Sequence, residues 1–384
     1  MIRLRHVSTI VAFVLAGIVL VTVPGGSDRI MTAEAQQTVR PRTVTVLVGG
    51  GHDTVVLDSY FPRSLRVRAG DTVAWKFNGD ENHHLHTVTF AGGPFSGPKL
   101  AVAGGTPGDA IPDFWIPVPG GQPDERMWNP TEAWPTRNSG TSVEKYDGSK
   151  YANSGHMRMN PLVPGMPASR EFSLTFTKPG AYRYACALHP HMRGTIDVAP
   201  AGAKDVPSQA EIDQLAKAEI AHLTALIDKG QELAKNVRRE PGPNDTTFWF
   251  VRAGVFDRSA ELGGILFDFA PKELTVKTGD TVIWQSVDTH TITFNPTPPA
   301  PVLFAVKPQP DGPPWLVRNP QVWRPAKPAS VYDPTQYFNS APIGITTALG
   351  TSWALTFDKP GSYEYLCALH HPMGMKGTIT VVGR

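Results

Sequence analysis

The chain has 384 residues, enough for two or three domains of ordinary size. Its 36 Gly and 37 Pro make roughly a fifth of the residues, above the usual ~12% and below the ~25–30% of low-complexity chains, which predicts a globular, turn-rich, mainly β protein. Charged residues are 18% and almost cancel at +2, which excludes the concentrated basic face of a nucleic-acid binder, and two cysteines cannot build a disulfide scaffold.

Residues 1–35 read as an export signal or N-terminal anchor. Arg3, Arg5 and His6 precede an apolar run from Ile10 to Val23, and Ala33-Glu34-Ala35 offers a small-residue cleavage site. The run is short for a spanning helix, which needs about 20 apolar residues. The expected place of work is outside the cytoplasm: periplasmic, cell-surface or secreted.

The rest of the chain repeats. RAGDTVAW at 68–75 returns as KTGDTVIW at 277–284, and HTVTF at 86–90 as HTITF at 290–294. SLTFTKPGAYRYACALH at 173–189 returns as ALTFDKPGSYEYLCALH at 354–370, followed by Met192-Arg-Gly-Thr-Ile and Met375-Lys-Gly-Thr-Ile. Four blocks in one order predict two copies of one domain, at 43–200 and 244–384. Each block alternates as a half-buried strand does, bounded by Gly-Asp or Lys-Pro-Gly turns, so each copy is expected to be an all-β sandwich.

Between the copies, 206–242 reads as a helical linker. Ser208 and Glu211 form a capping box, and Ile212, Leu215, Ile220, Leu223, Ile227 and Leu233 recur at helical spacing. The expectation is a helix over about 208–238 that docks on one or both sandwiches. Each copy also carries a long irregular insertion, near 91–170 and 296–345, whose tryptophans are expected to pin it to its own sandwich.

The chemistry lies in CALHPHM and CALHHPMGM. Each copy supplies a thiolate, two imidazoles and a thioether: His86, Cys186, His189 and Met192, then His290, Cys367, His370 and Met375. Two His and one Cys with a weak axial Met are the donor set of blue-copper electron-transfer sites. Met375 is preferred to Met373 because it aligns with Met192. A disulfide between Cys186 and Cys367 would have to join two equivalent positions, and zinc has little use for a thioether.

With these residues in hand the chain resembles the cupredoxins, the blue-copper family that includes plastocyanin, amicyanin and azurin. Cys186-x-x-His189-x-x-Met192 is similar to the short amicyanin loop, and Cys367-x-x-His370 with Met375 to the longer plastocyanin loop. The resemblance implies Greek-key β-sandwiches, one type 1 copper per domain and electron transfer without substrate chemistry. On this expectation His189 and His370 lie on an exposed loop and pass electrons to redox protein partners docking near Leu188 and Leu369.

Two other readings remain. One is copper storage, delivery or resistance, against which the lack of Met-rich or His-rich tracts counts. The other is a multicopper oxidase or nitrite reductase relative completed by a further copper held between subunits, using His83 or His84. Those enzymes place His beside the type 1 Cys, where this chain has Ala185, Ala187, Leu366 and Ala368. His83, His84, His191 and His371 are expected to be solvent-facing loop residues, and His156, Met157 and Met159 an incidental surface group.

Overall fold

The computed structural model describes residues 40–80, 84–92, 99–100, 111–135, 143–161, 169–189, 191–234, 236–256, 263–296, 301–326, 330–344, 347 and 349–384. The leader and His83 lie outside them. Among the described residues no helix is long and apolar enough to cross a membrane.

In the first half two five-stranded sheets face each other. One carries Thr43–Val48 parallel to Thr72–Phe77, which pairs antiparallel with Glu171–Phe176. The other carries Thr89–Phe90, Gly180–Ala185, Arg193–Ala199 and Ser64–Arg68 side by side. The second half repeats the plan. Thr247–Phe256 runs parallel to Thr281–Gln285, and Gly361–Leu366 lies between Thr293–Phe294 and Lys376–Val382. The repeated motifs explain this directly. Trp75 and Trp284 are wholly buried, each edge-on to the second Tyr of its Tyr-x-Tyr strand, Tyr184 and Tyr365, at 5.3 Å in both copies. Such aromatic pairs add to the burial itself. The Gly-Asp turns hold the strands: buried Asp71 accepts from the backbone N–H groups of Arg42 and Arg68, and buried Asp280 from those of Thr247 and Lys277.

The helix between the halves spans Gln209–Ala234, shorter than the sequence expectation. The Ser208 N–H donates to Glu211 and the Glu211 N–H to Ser208 Oγ, closing the capping box. The chain then turns into a strand, Arg238–Pro241, paired antiparallel with Thr247–Phe250, so the second sandwich takes up the chain earlier than 244. Proline at 241 cannot continue a helix, and the Pro-Gly-Pro stretch makes a hairpin instead. Ile212, Ala216, Leu223 and Ile227 are buried, whereas Leu215 is 49% exposed, because the docking face follows 3.6-residue spacing. That face packs on Val55, Leu57 and Phe61 of the first half and on Val255 and Leu266 of the second.

Two further features tie the halves together. The hairpin Gly51–His52 and Val55–Leu57 leaves the first half and extends the second half's sheet, Val56 opposite Ile265. The insertions do not simply cover their own sandwiches. Trp115–Pro117 and Arg126–Trp128 of the first form one four-stranded sheet with Phe304–Lys307 and Trp315–Arg318 of the second. The Arg318 guanidinium sits over Trp115 at 4.0 Å and Trp323 at 4.1 Å, a cation–π sandwich across that seam.

The insertions also repeat. Asn129 and Asn319 each cap a one-turn helix, Pro130–Ala133 and Pro320–Trp323. Asn153 and Asn339 then donate to backbone carbonyls of those turns, including Glu132 O at 3.1 Å and Val322 O at 3.0 Å. His156 and Met157 are buried, so they are no surface group: Met157 exchanges backbone hydrogen bonds with His86, and this pairing anchors the start of the HTVTF block.

Candidate metal centre

The HTxTF block places an imidazole and, next to it, a threonine that fixes the cysteine. The Thr87 N–H points at Cys186 Sγ at 3.3 Å, and the Thr87 hydroxyl accepts from the Ala187 N–H at 2.8 Å. Thr291 does the same for Cys367 and Ala368, at 3.3 and 2.7 Å. Both thiols are fully buried and free. Past each cysteine the chain folds back tightly: the Cys186 N–H donates to Met192 O and the Cys367 N–H to Met375 O. That shared bond places Met375, not Met373, at the position of Met192. Both Met192 and Met375 are buried.

The side chains converge. His86 Nδ1 lies 3.2 Å from His189 Nδ1, which lies 3.6 Å from Cys186 Sγ. In the second copy His290 Nδ1 lies 2.9 Å from His370 Nδ1, and Cys367 Sγ is 3.8 and 3.4 Å from those two nitrogens. Separations near 3.5 Å are what donors show around one ion at bond lengths of about 2.0–2.3 Å. Burial and neighbouring imidazoles hold His189 and His370 well below the usual histidine value, and burial brings His290 down to about 4, so their nitrogens present lone pairs. Burial pushes the Cys186 thiol up to about 11 and raises that of Cys367. Metal binding at either sulfur must therefore expel a proton.

The family model for copper-binding proteins of the plastocyanin/azurin family matches residues 258–382. Plastocyanin of Scenedesmus fuscus is 30% identical over 122 residues, covering 32% of this chain and 92% of the alga's protein. The chain belongs to the plastocyanin/azurin family. Solved structures that resemble it include oxidised plastocyanin from Dryopteris crassirhizoma, 22% identical, spanning 35% of this chain and 99% of that one at a TM-score of 0.20. A Cu(I) amicyanin variant is 18% identical over 41% and 82% of the two chains, also at 0.20. Copper is the family's metal, and the two imidazoles and thiol gathered in each copy, with a buried methionine on the same loop, fit it.

This cupredoxin differs from the sequence expectation in which way its clusters face. His189 and His370 are not on exposed loops: the His189 side chain is 12% exposed and His370 only 6%. His84 lies between them, its ring 4.9 Å from His189 and 5.0 Å from His370, and Phe267 stacks on His370 at 3.9 Å. Leu188 and Leu369 are half-buried against the cores rather than forming an open apolar patch. His84 and His191 face Asp58, and His371 is half-buried beside Ala368 O, so these three are not solvent-facing. Asp58 is fully buried. Burial favours its neutral acid, but His189, His191 and His84 outweigh that and hold the carboxyl well below its usual range.

Sequence reasoning missed Gly49 and Gly254. Each has positive φ, +68° and +76°, and each backbone passes directly beneath the upstream histidine of its cluster. A methyl group on Gly49 would come within 2.5 Å of His86 Nε2. The signal in the sequence is a Gly 37 or 36 residues before each HTxTF histidine, but the residues flanking the two glycines do not repeat. Gly254→Ala is expected to push His290 out of place and lower copper affinity of the second centre at least tenfold, on top of about 1 kcal/mol of backbone strain. Competition against a copper chelator measures it, and unchanged affinity at that centre contradicts the close-approach role.

Proposed function

We propose that the protein is an exported blue-copper electron carrier with one type 1 copper in each half. His86, Cys186, His189 and Met192 would hold one ion, and His290, Cys367, His370 and Met375 the other. The observation that carries this reading is the convergence of two imidazole nitrogens and one buried thiol at matched positions in both copies. Copper would supply the one-electron couple. The chain's residues supply donors that stay fixed as the charge changes: Thr87 and Thr291 aim an N–H at each sulfur, which favours the thiolate.

Burial of all three donors in the second copy supports electron transfer over ready exchange of copper with a chaperone or a store. The placement of His84 against both His189 and His370 supports exchange of electrons between the two centres, with redox proteins outside the chain as donor and acceptor. Visible and EPR spectra of the Cu(II)-loaded full chain test the reading. An intense thiolate-to-copper band with a blue-copper EPR signal is expected. A colourless copper protein sinks electron transfer and leaves copper handling.

A further inference from the structure

Between the two clusters lies a polar site that neither uses. Asp58 follows the crossing strand Val55–Leu57 and is 1% exposed. Neither carboxylate oxygen has a hydrogen-bond partner, and the same holds for the buried His84 Nδ1 and His191 Nε2. Four imidazole nitrogens surround the carboxylate: His84 Nδ1 at 3.7 Å and His86 Nε2 at 3.8 Å from Oδ1, His191 Nε2 at 3.7 Å and His189 Nε2 at 3.9 Å from Oδ2. These separations exceed a hydrogen bond and suit donors placed around one small cation. Donor atoms of Asp58, His84 and His189 all lie within 4.8 Å of one another.

A buried carboxylate without a donor is costly unless a charge answers it. The surrounding imidazoles lower the carboxyl, but at 3.7–3.9 Å none makes a hydrogen bond to it, which leaves room for an ion among them.

We propose that Asp58, His84 and His191 bind a third metal ion, a divalent cation of the copper or zinc type, between the two blue-copper centres. Two imidazoles and a carboxylate without sulfur suit Cu(II) or Zn(II) better than Cu(I). Ring nitrogens of His84 and His191 would hold the ion, which answers the charge of Asp58. His189 presents Nδ1 to the first cluster and Nε2 to the Asp58 carboxylate. The proposal rests on the preceding reading only for what fills the neighbouring centres.

The test is a count of copper per full chain after Cu(II) loading and removal of loose metal, with EPR on the same sample. Three coppers are expected, one with an ordinary type 2 signal. His84→Ala and His191→Ala are expected to hold two, losing the type 2 signal while the thiolate band stays unchanged. Asp58→Asn, which keeps the side-chain shape, should lose the same ion. A wild-type chain with a full thiolate band and only two coppers overturns the proposal, as does retention of the third in all three variants. A type 2 copper that depends on His84 in a chain without a thiolate band would uphold this site and sink the blue-copper reading instead.

Discussion

Cys367→Ser protein is expected to lose about half of the intense visible absorption, and Cys186→Ser the other half, because the band arises from a copper–thiolate bond that a hydroxyl does not form. The double variant should be colourless. The fold should survive. Each sulfur is buried under a threonine N–H, and a serine oxygen in the same place still accepts that bond, so no buried donor is orphaned. Visible absorption together with a copper count checks it. If either single variant loses the whole band, only one half carries a blue centre.

Glu132 should set a pH dependence of stability that has no counterpart at its repeat position in the second half. It is fully buried in the one-turn helix of the first insertion, where Tyr151 donates to one oxygen and the Thr89 hydroxyl to the other at 3.0 Å. Burial pushes its carboxyl from 4.5 up to about 7, more than those hydrogen bonds pull it down. Between these two values the folded chain keeps a proton that the unfolded chain has released, so stability falls as pH rises through that window and levels off above it. At 1.36 kcal/mol per pKa unit the loss is about 3 kcal/mol. Glu132→Gln keeps the shape and cannot ionise. The stability of the variant relative to wild type should therefore rise by about 3 kcal/mol between pH 4 and pH 8 in denaturant titrations. A difference that does not vary with pH contradicts the assignment. The equivalent residue in the second insertion is the buried Val322.

The sandwiches were legible because the pattern that makes a strand also makes a core. Trp75 and Trp284, Tyr184 and Tyr365 occupy alternating positions whose burial the repeat declares twice. The donor sets were legible for a similar reason: Cys, His and Met on one tight loop are brought together by local chain geometry. What lay beyond reach depended on contacts between distant segments. Nothing in CALH says that His370 faces inward, because that is decided by the Val55–Leu57 hairpin crossing into the other sheet and by the pairing of the two insertions. His84 and His191 looked like loop residues for the same reason. Their common neighbour, Asp58, lies 26 residues before one and 133 before the other. The helix end differs from the expectation for a local reason: the charged Arg-Arg-Glu stretch suits an exposed helix turn as well as the edge strand Arg238–Pro241 that it forms.

The hairpin at 51–57 gives the duplication a direction. Its strand seals one edge of the second copy's sheet, and no corresponding strand of the second copy returns the arrangement among the described residues. The copies are therefore not interchangeable modules, although their sequences match block for block. An open sheet edge is an invitation to pair with another chain. A descendant that inherited the second copy alone would carry such an edge, while one that inherited the first alone would carry a loose hairpin with no sheet to join.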